Sequence, residues 1–335
     1  MSIINRVAGN MQKPISETHP ELYHYTTAIG LKGIIEKQTL WATHCEYLND
    51  SMEIKYYFSS RFSKILEDLK NQFSGDDQKT LDHFYAVIPS GMYDDLLVAA
   101  VPHITSFCTV EGFGEDVKMD GLLSQWRGYG HDGGYAIVFK TSGLECLFEV
   151  EKGKWGYDEL YLLNVVYSTD DLNQIQDEFG KHEKVIYSNL LNYSNSIIKS
   201  CKERRSSLDS YAIEKMYHSL VECVCRYKHG GFKEEKEVRI VAIPLNREAI
   251  QSENNKGKHA EGKPKKQFLR SGNIIPYIDL FEGITGLPDK RLPIQRIIVG
   301  PHPEKLKRKK AIEILLEQEG IDAEVMVSGI PFLGR

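Results

Sequence analysis

The groups in this sequence best suited to chemistry stand near its two ends. His24 sits between tyrosines in ELYHYTT, on a short apolar strand that leads into a capped helix. In FKEEKEVRIVAIP, strand alternation puts Glu235, Glu237 and Arg239 on one face, with Lys236, Val238, Ile240 and Ala242 on the other. The apolar run RIVAIP implies an interior strand, where charged groups need partners or a function. Two plainer roles stay open: Arg239 pairing Glu237 on a half-exposed sheet face, and His24 as a core imidazole satisfied by backbone groups. The functional reading predicts that both strands join one mixed sheet and that His24 and Glu237 line one cleft from the same face.

Other clusters admit more than one use. Asn49, Asp50 and Glu53 have the composition of an acid-base or metal cluster, and Asp50 to Glu53 also has the spacing of a helix capping box. Gln125 to Tyr135 carries Trp126, Arg127, Tyr129, His131 and Asp132 among the glycines 128, 130, 133 and 134. It fits neither a phosphate loop nor a dinucleotide fingerprint and is expected to be a mobile loop presenting aromatic faces. Cys223 and Cys225 are separated by one residue, which is not zinc-knuckle spacing, and no metal site is expected. A competing class is a metal-dependent nuclease or hydrolase holding magnesium on Asp50, Glu53, Glu235 and Glu237. A third is a non-catalytic recognition module built on the aromatic loop.

The elements that must position these groups follow from periodicity. Leu22 to Tyr25 is a strand; Thr26 or Thr27 caps a helix with the apolar face Leu31, Ile34 and Ile35, and TLWAT returns as a strand. Ile54, Tyr57, Phe58, Phe62, Ile65, Leu66 and Leu69 recur at helical spacing, and NQFSGDDQKT ends that helix. HITSFCTV and YLLNVVYS are strands, residues 171–228 form a packed helical layer, and QSENNKGKHAEGKPKKQ is a solvated mobile loop. Near the end come a strand Ile294 to Val299, a helix entered at Pro303 with Ile312, Leu315 and Leu316 inside, a cap at Gly320 and a strand Ala323 to Val327. The class is α+β: a polar lead-in over 1–20, then one domain over 21–335 with the helical insertion near 171–228.

A formal net charge of -5 argues against a dedicated nucleic-acid coat. No apolar run reaches membrane-spanning length, the first residues lack a secretion signal's apolar centre, and the six cysteines are scattered, so a cytoplasmic, membrane-free protein is expected.

YHYTT, LNDSME, SFCT with QWRGYGHDGGYAIVF, FKEEKEVR, IIVGP and VSGIPF together resemble a prokaryotic domain-of-unknown-function family, which shares a YHYT opening, an NDxxE step, a tryptophan-tyrosine segment before a glycine and an ExExR strand. That likeness runs from Glu21 to Phe332. More distantly, a strand histidine before a helix and a glutamate on a later strand resemble the ADP-ribosyltransferase superfamily, although the serine-threonine-serine strand of its arginine-modifying branch has no counterpart. This resemblance implies a mixed, split β-sheet and NAD as substrate. His24, with Tyr25, Thr26 and Arg239 near it, would hold the NAD, and Trp126 or Tyr129 would stack on the nicotinamide. Glu237 would bond the ribose 2'-hydroxyl, and Glu235 would activate a protein or nucleic-acid acceptor. A toxin or phage-defence effector is the role it implies.

Overall fold

The computed structural model describes residues 14–48, 53–99, 101–129, 133–169, 178–203, 210–257, 261–284 and 291–331. Its strands are β1 (Glu21–Thr26), β2 (Leu40–His44), β3 (His103–Cys108), β4 (Tyr135–Lys140), β5 (Trp155–Asn164), β6 (Val166–Tyr167), β7 (Tyr227–Lys228), β8 (Glu237–Pro244), β9 (Glu261–Gly262), β10 (Lys265–Arg270), β11 (Asn273–Leu280), β12 (Ile294–Val299) and β13 (Glu324–Val327). All but β6 and β7 join one large mixed sheet, so the molecule is α+β.

The sheet forks at β3. One edge of β3 pairs with β8 along its whole length, from His103 opposite Ala242 to Cys108 opposite Glu237. Its other edge is shared. β2 pairs only with the first two residues, through Thr43 opposite Ile104 and His44 opposite His103, while β1 meets only the last, through Tyr23 opposite Cys108. Between those contacts, side chains replace the ladder: Thr105 Oγ1 donates to the Trp41 carbonyl at 2.9 Å, and His24 Nδ1 lies 3.0 Å from the Ser106 carbonyl. Unpaired strand carbonyls need such partners, and the opening they frame is the cavity described below.

Alternation assigns the two faces. Leu22, Phe107, Ile137, Val238 and Ile240 pack with helices Ala28–Lys37, Thr141–Lys154 and Lys305–Glu319. The opposite face carries Ile104, Val241 and Ile243 against Glu53–Lys70, Gly75–Ala99, Glu178–Glu203 and Ser210–Arg226, with Tyr23, Cys108 and Val138 against Leu123–Tyr129. All seven apolar residues expected on the first long helix are buried, but the run is α, then a π turn over Phe58–Phe62, then α. Thr27 caps the helix Ala28–Lys37 by accepting from the Gly30 amide. Near the C-terminus, β12 and β13 pair in parallel around the helix Lys305–Glu319, which ends at Gly320 with φ 61°.

One helix had no sequence expectation, and three expectations need amendment. The helix Gly75–Ala99 runs through Pro89, a residue that removes one helical donor and disguises the pattern. Gln125 to Tyr129 is helical and not loop, because Trp126 anchors a turn into the core. The supposed charged loop holds the helix Arg247–Asn255, capped by Asn246, and then β9 and β10. Three of its described lysines find partners: Lys256 pairs with Glu253, Lys263 with Glu151, both of those side chains fully buried, and Lys266 with Asp279. Residues 258–260 lie outside the described residues. Finally, the polar lead-in contributes a short helix, Ile15–Thr18, with Ile15 in the core; residues 1–13 are not described.

Candidate functional site

Glu237 is the first residue of β8, and Glu235 lies outside the strand. Glu235 closes a 3-10 turn over Gly230–Glu235, and Lys236 at φ 43° turns the chain into β8. The two carboxylates therefore converge through a turn, where simple alternation along one strand was expected. What brings them together is Lys228. The short pair β6–β7 sets Lys228 beside Tyr167, and the Lys228 ammonium donates to Glu235 at 2.9 Å and to Glu237 at 2.8 Å. Tyr167 Oη accepts the Glu237 backbone N–H at 2.9 Å.

Arg239 clamps Glu237 from its own strand, with Nε at 2.7 Å from one oxygen and Nη2 at 3.0 Å from the other. Its Nη1 donates to the Cys225 carbonyl. Both side chains of this pair are 3% exposed, so the half-exposed ion pair of the sequence reading is in fact a buried one. That changes its weight: exposed pairs contribute about 0–1 kcal/mol, whereas removing one partner of a buried pair costs roughly 3–5 kcal/mol. Arg239 lines the cavity described below, and its guanidinium bonds to Glu237 and the Cys225 carbonyl make it a positioning residue for Glu237.

The pKa values of the two carboxylates are pushed in opposite directions. Burial pushes Glu237 up, but Arg239 and Lys228 more than reverse this and hold it well below the ordinary value, at about 2. Glu235 is raised: burial dominates, Lys228 opposes it, the Glu237 charge adds to it, and a hydrogen bond from Gln125 opposes it. Neighbouring carboxylates with pKa values pushed apart are the usual arrangement for one fixed anion and one proton carrier.

These residues line a cavity of about 440 Å³ at the fork, together with His24, Tyr25, Thr105, Ser106, Tyr129, Phe232 and Trp41. This volume lies within the roughly 300–1,000 Å³ of small-molecule sites. Trp41, Tyr129 and Phe232 remain partly exposed. A larger hollow of about 720 Å³ near Glu21 and Arg296 touches none of the candidates on β8. Burial lowers the His24 pKa, favouring the neutral ring. With Nδ1–H donated to the Ser106 carbonyl, Nε2 is left as an acceptor.

His24 and Glu237 thus line one cavity, but not from one face. Tyr23, Cys108 and Glu237 form a row across the sheet, and His24, one residue on from Tyr23, belongs with Phe107 and Val238 on the other side. Both reach the cavity because β1 leaves β3 after a single pair. Of the other candidates, Tyr25, Tyr129 and Arg239 line it; Thr26 and Trp126 do not. Trp126 is 5% exposed, its ring meets the Tyr25 ring edge-on at 4.8 Å, and its indole N–H donates to the Asp120 carbonyl, so it cannot stack on a ligand. Asn49, Asp50, His131 and Asp132 lie outside the described residues, and Glu53 opens the helix Glu53–Tyr57.

Lys228 and Gln125 were not singled out from the sequence. A lysine ending a helical run before two glycines reads as a solvated charge, and only the pairing of β6 with β7 turns it inward.

A family model described as Protein of unknown function (DUF2971) matches residues 125–240, roughly a third of the chain. The matched stretch is similar to a domain-of-unknown-function family and contains Gln125, Lys228, Glu235, Glu237 and Arg239; the YHYT and LNDSME segments lie outside it. No curated protein and no solved structure matches the chain.

The split protonation sets an expected pH dependence of stability. The depressed pKa of Glu237 gives stability that is present above the ordinary value near 4.5 and lost as pH falls toward about 2. The raised pKa of Glu235 works oppositely: the folded state holds that proton more tightly than the unfolded state, so stability falls as pH rises from about 4.5 through its folded value. Urea unfolding across pH should show Glu237→Gln flattening the limb below about 4.5 and Glu235→Gln flattening the limb above it. Unchanged limbs in both variants would remove this electrostatic assignment.

Proposed function

We propose that the cavity binds NAD and cleaves the bond between nicotinamide and ribose, transferring ADP-ribose to a protein or nucleic-acid acceptor. The observation that carries this reading is the joining, in one cavity at the fork of a mixed sheet, of His24, whose pKa is lowered, with two carboxylates bridged by Lys228, one with its pKa lowered and the other with its pKa raised. A sheet split around a cleft, with histidine on one flank and glutamates on the other, resembles the ADP-ribosyltransferase plan. Breaking the glycosidic bond builds positive charge on the sugar, and a carboxylate that stays ionised beside it favours the transition state over the ground state. Glu237 fills that part. Glu235, with its raised pKa, draws the proton from the acceptor. His24 Nε2 accepts from a ribose hydroxyl, and Tyr129 offers a face to the nicotinamide ring.

Magnesium hydrolysis is the weaker reading, because the Lys228 ammonium already occupies the point between Glu235 and Glu237 that a bridging cation would need. The free thiols of all six cysteines support a reducing, cytoplasmic setting. Among the described residues no helix is long and apolar enough to cross a membrane. A role as a toxin or phage-defence effector rests on the resemblance alone.

The test is incubation of the purified chain with NAD and cell extract, with and without a chelator. The proposal expects nicotinamide release and ADP-ribose attached to an acceptor, both insensitive to chelation. Intact NAD alongside chelator-sensitive cleavage of nucleic acid would select the hydrolase instead.

A further inference from the structure

On the helical layer, away from the cavity, three side chains converge whose chemistry nothing above uses. His182 projects from the helix Glu178–Glu203, and His218 and Glu222 stand one turn apart on Ser210–Arg226. One potential ligand atom from each lies within 4.8 Å of the others. We propose that these residues form a binding site for a zinc-class divalent ion, with three protein ligands and an open fourth position.

The argument rests on what holds the remaining atoms of each ligand. His182 Nε2 lies 2.9 Å from Glu222 Oε2, while His182 Nδ1 is bonded to Ser219 Oγ at 2.9 Å. The second oxygen of Glu222 accepts from Arg226 Nη1 at 2.8 Å. Glu159 on β5 takes His218 Nδ1 at 2.6 Å; the Tyr161 hydroxyl lies 3.2 Å from Nδ1 and 3.5 Å from Nε2, and Nε2 would exchange that longer contact for an ion. Metal-binding histidines and carboxylates have such outer partners, which fix the ring and the tautomer. Tetrahedral zinc with bonds of about 2.0–2.1 Å sets its ligand atoms roughly 3.3 Å apart, so the His182–Glu222 spacing needs only a few tenths of an ångström of opening.

Two imidazoles and a carboxylate suit zinc or its transition-metal neighbours, whereas magnesium and calcium favour all-oxygen sets. Burial fits an open site as well: the Glu222 side chain is 7% exposed, but that of His218 is half exposed, leaving room for a water ligand. The ion would bridge the two long helices, and through Glu159 it would tie them to the sheet. A pair of ordinary histidine-glutamate hydrogen bonds is the rival account.

The full chain, stripped with a chelator, is titrated with zinc by calorimetry and with cobalt by visible absorption. One equivalent binds with sub-micromolar affinity, cobalt gives the absorption of a four-coordinate nitrogen-oxygen site, and zinc raises the melting temperature by about 5 °C. His182→Ala and His218→Ala each weaken zinc binding by about a hundredfold or more, and Glu159→Gln by roughly tenfold, the scale of losing an outer partner. Circular dichroism of the metal-free variants verifies folding, and Glu159→Gln, which removes no ligand, remains readable if a histidine variant misfolds. Exposed Cys146 and Cys201 are the competing zinc ligands; a Cys146→Ser/Cys201→Ser chain is expected to bind zinc unchanged. No zinc binding, binding unaffected in both histidine variants, or binding lost with the two cysteines would each overturn the site.

Discussion

Glu237→Gln is expected to lower both nicotinamide release and ADP-ribose transfer by about a hundredfold or more, the scale of removing one well-placed electrostatic group from a site shielded from water. The same substitution should destabilise the fold by roughly 3 kcal/mol, because Arg239 and Lys228 lose the buried anion that holds them. Loss of activity alone therefore does not separate catalysis from structure. The discriminating variant is Glu237→Gln/Arg239→Gln, which removes the buried pair as a unit. Removing one partner leaves an uncompensated buried charge, which the double variant avoids because its two glutamines are neutral and can bond to each other, so it should be more stable than the single variant while remaining inactive. Recovery of activity together with stability would show that Glu237 matters only as an ion-pair partner.

The second large effect is expected at Lys228. Lys228→Met leaves Glu235 and Glu237 near each other without the ammonium that bonds both, and their repulsion raises the already elevated Glu235 pKa further. The ionised fraction of Glu235 at a given pH falls as its pKa rises. Transfer to an acceptor should fall and recover as pH is raised. NAD hydrolysis should suffer less, since Arg239 still holds Glu237 ionised. Lys228→Arg, which keeps the charge, should retain most of the transfer activity. A parallel, pH-independent fall in both reactions would mean that Lys228 supports the fold and does not tune Glu235.

Where the sequence was legible, the reason was strong periodicity. Leu31, Ile34 and Ile35, or the seven apolar residues from Ile54 to Leu69, have one way to be buried, and they are buried. His24 and Glu237 stood out as candidates because charged or titratable groups in apolar strands need a reason to be there, and both line the cavity. What the sequence hid was register. Whether two strands share a face depends on which residues pair, and the single pair of Tyr23 with Cys108 both sets His24 opposite Glu237 and opens the gap that lets them meet. Glu235 was placed near Glu237 by an alternation it does not obey, since Lys236 in the left-handed region breaks the strand first. Lys228, His182 and His218 were silent for a related reason. Each gains its meaning from a partner distant in sequence, and a lone lysine or histidine on a helical run gives no local sign of it.

The most direct measurement is the fate of NAD labelled in its nicotinamide ring when incubated with the purified chain. The account predicts release of labelled nicotinamide by the wild type, unaffected by a chelator, nearly abolished in Glu237→Gln and its Arg239 double variant, and largely retained in Glu235→Gln, which fails instead to label an acceptor. Label remaining in intact NAD, with folded protein and acceptor-rich extract present, would contradict the account and return Glu235, Glu237 and Lys228 to the role of a buried ion network.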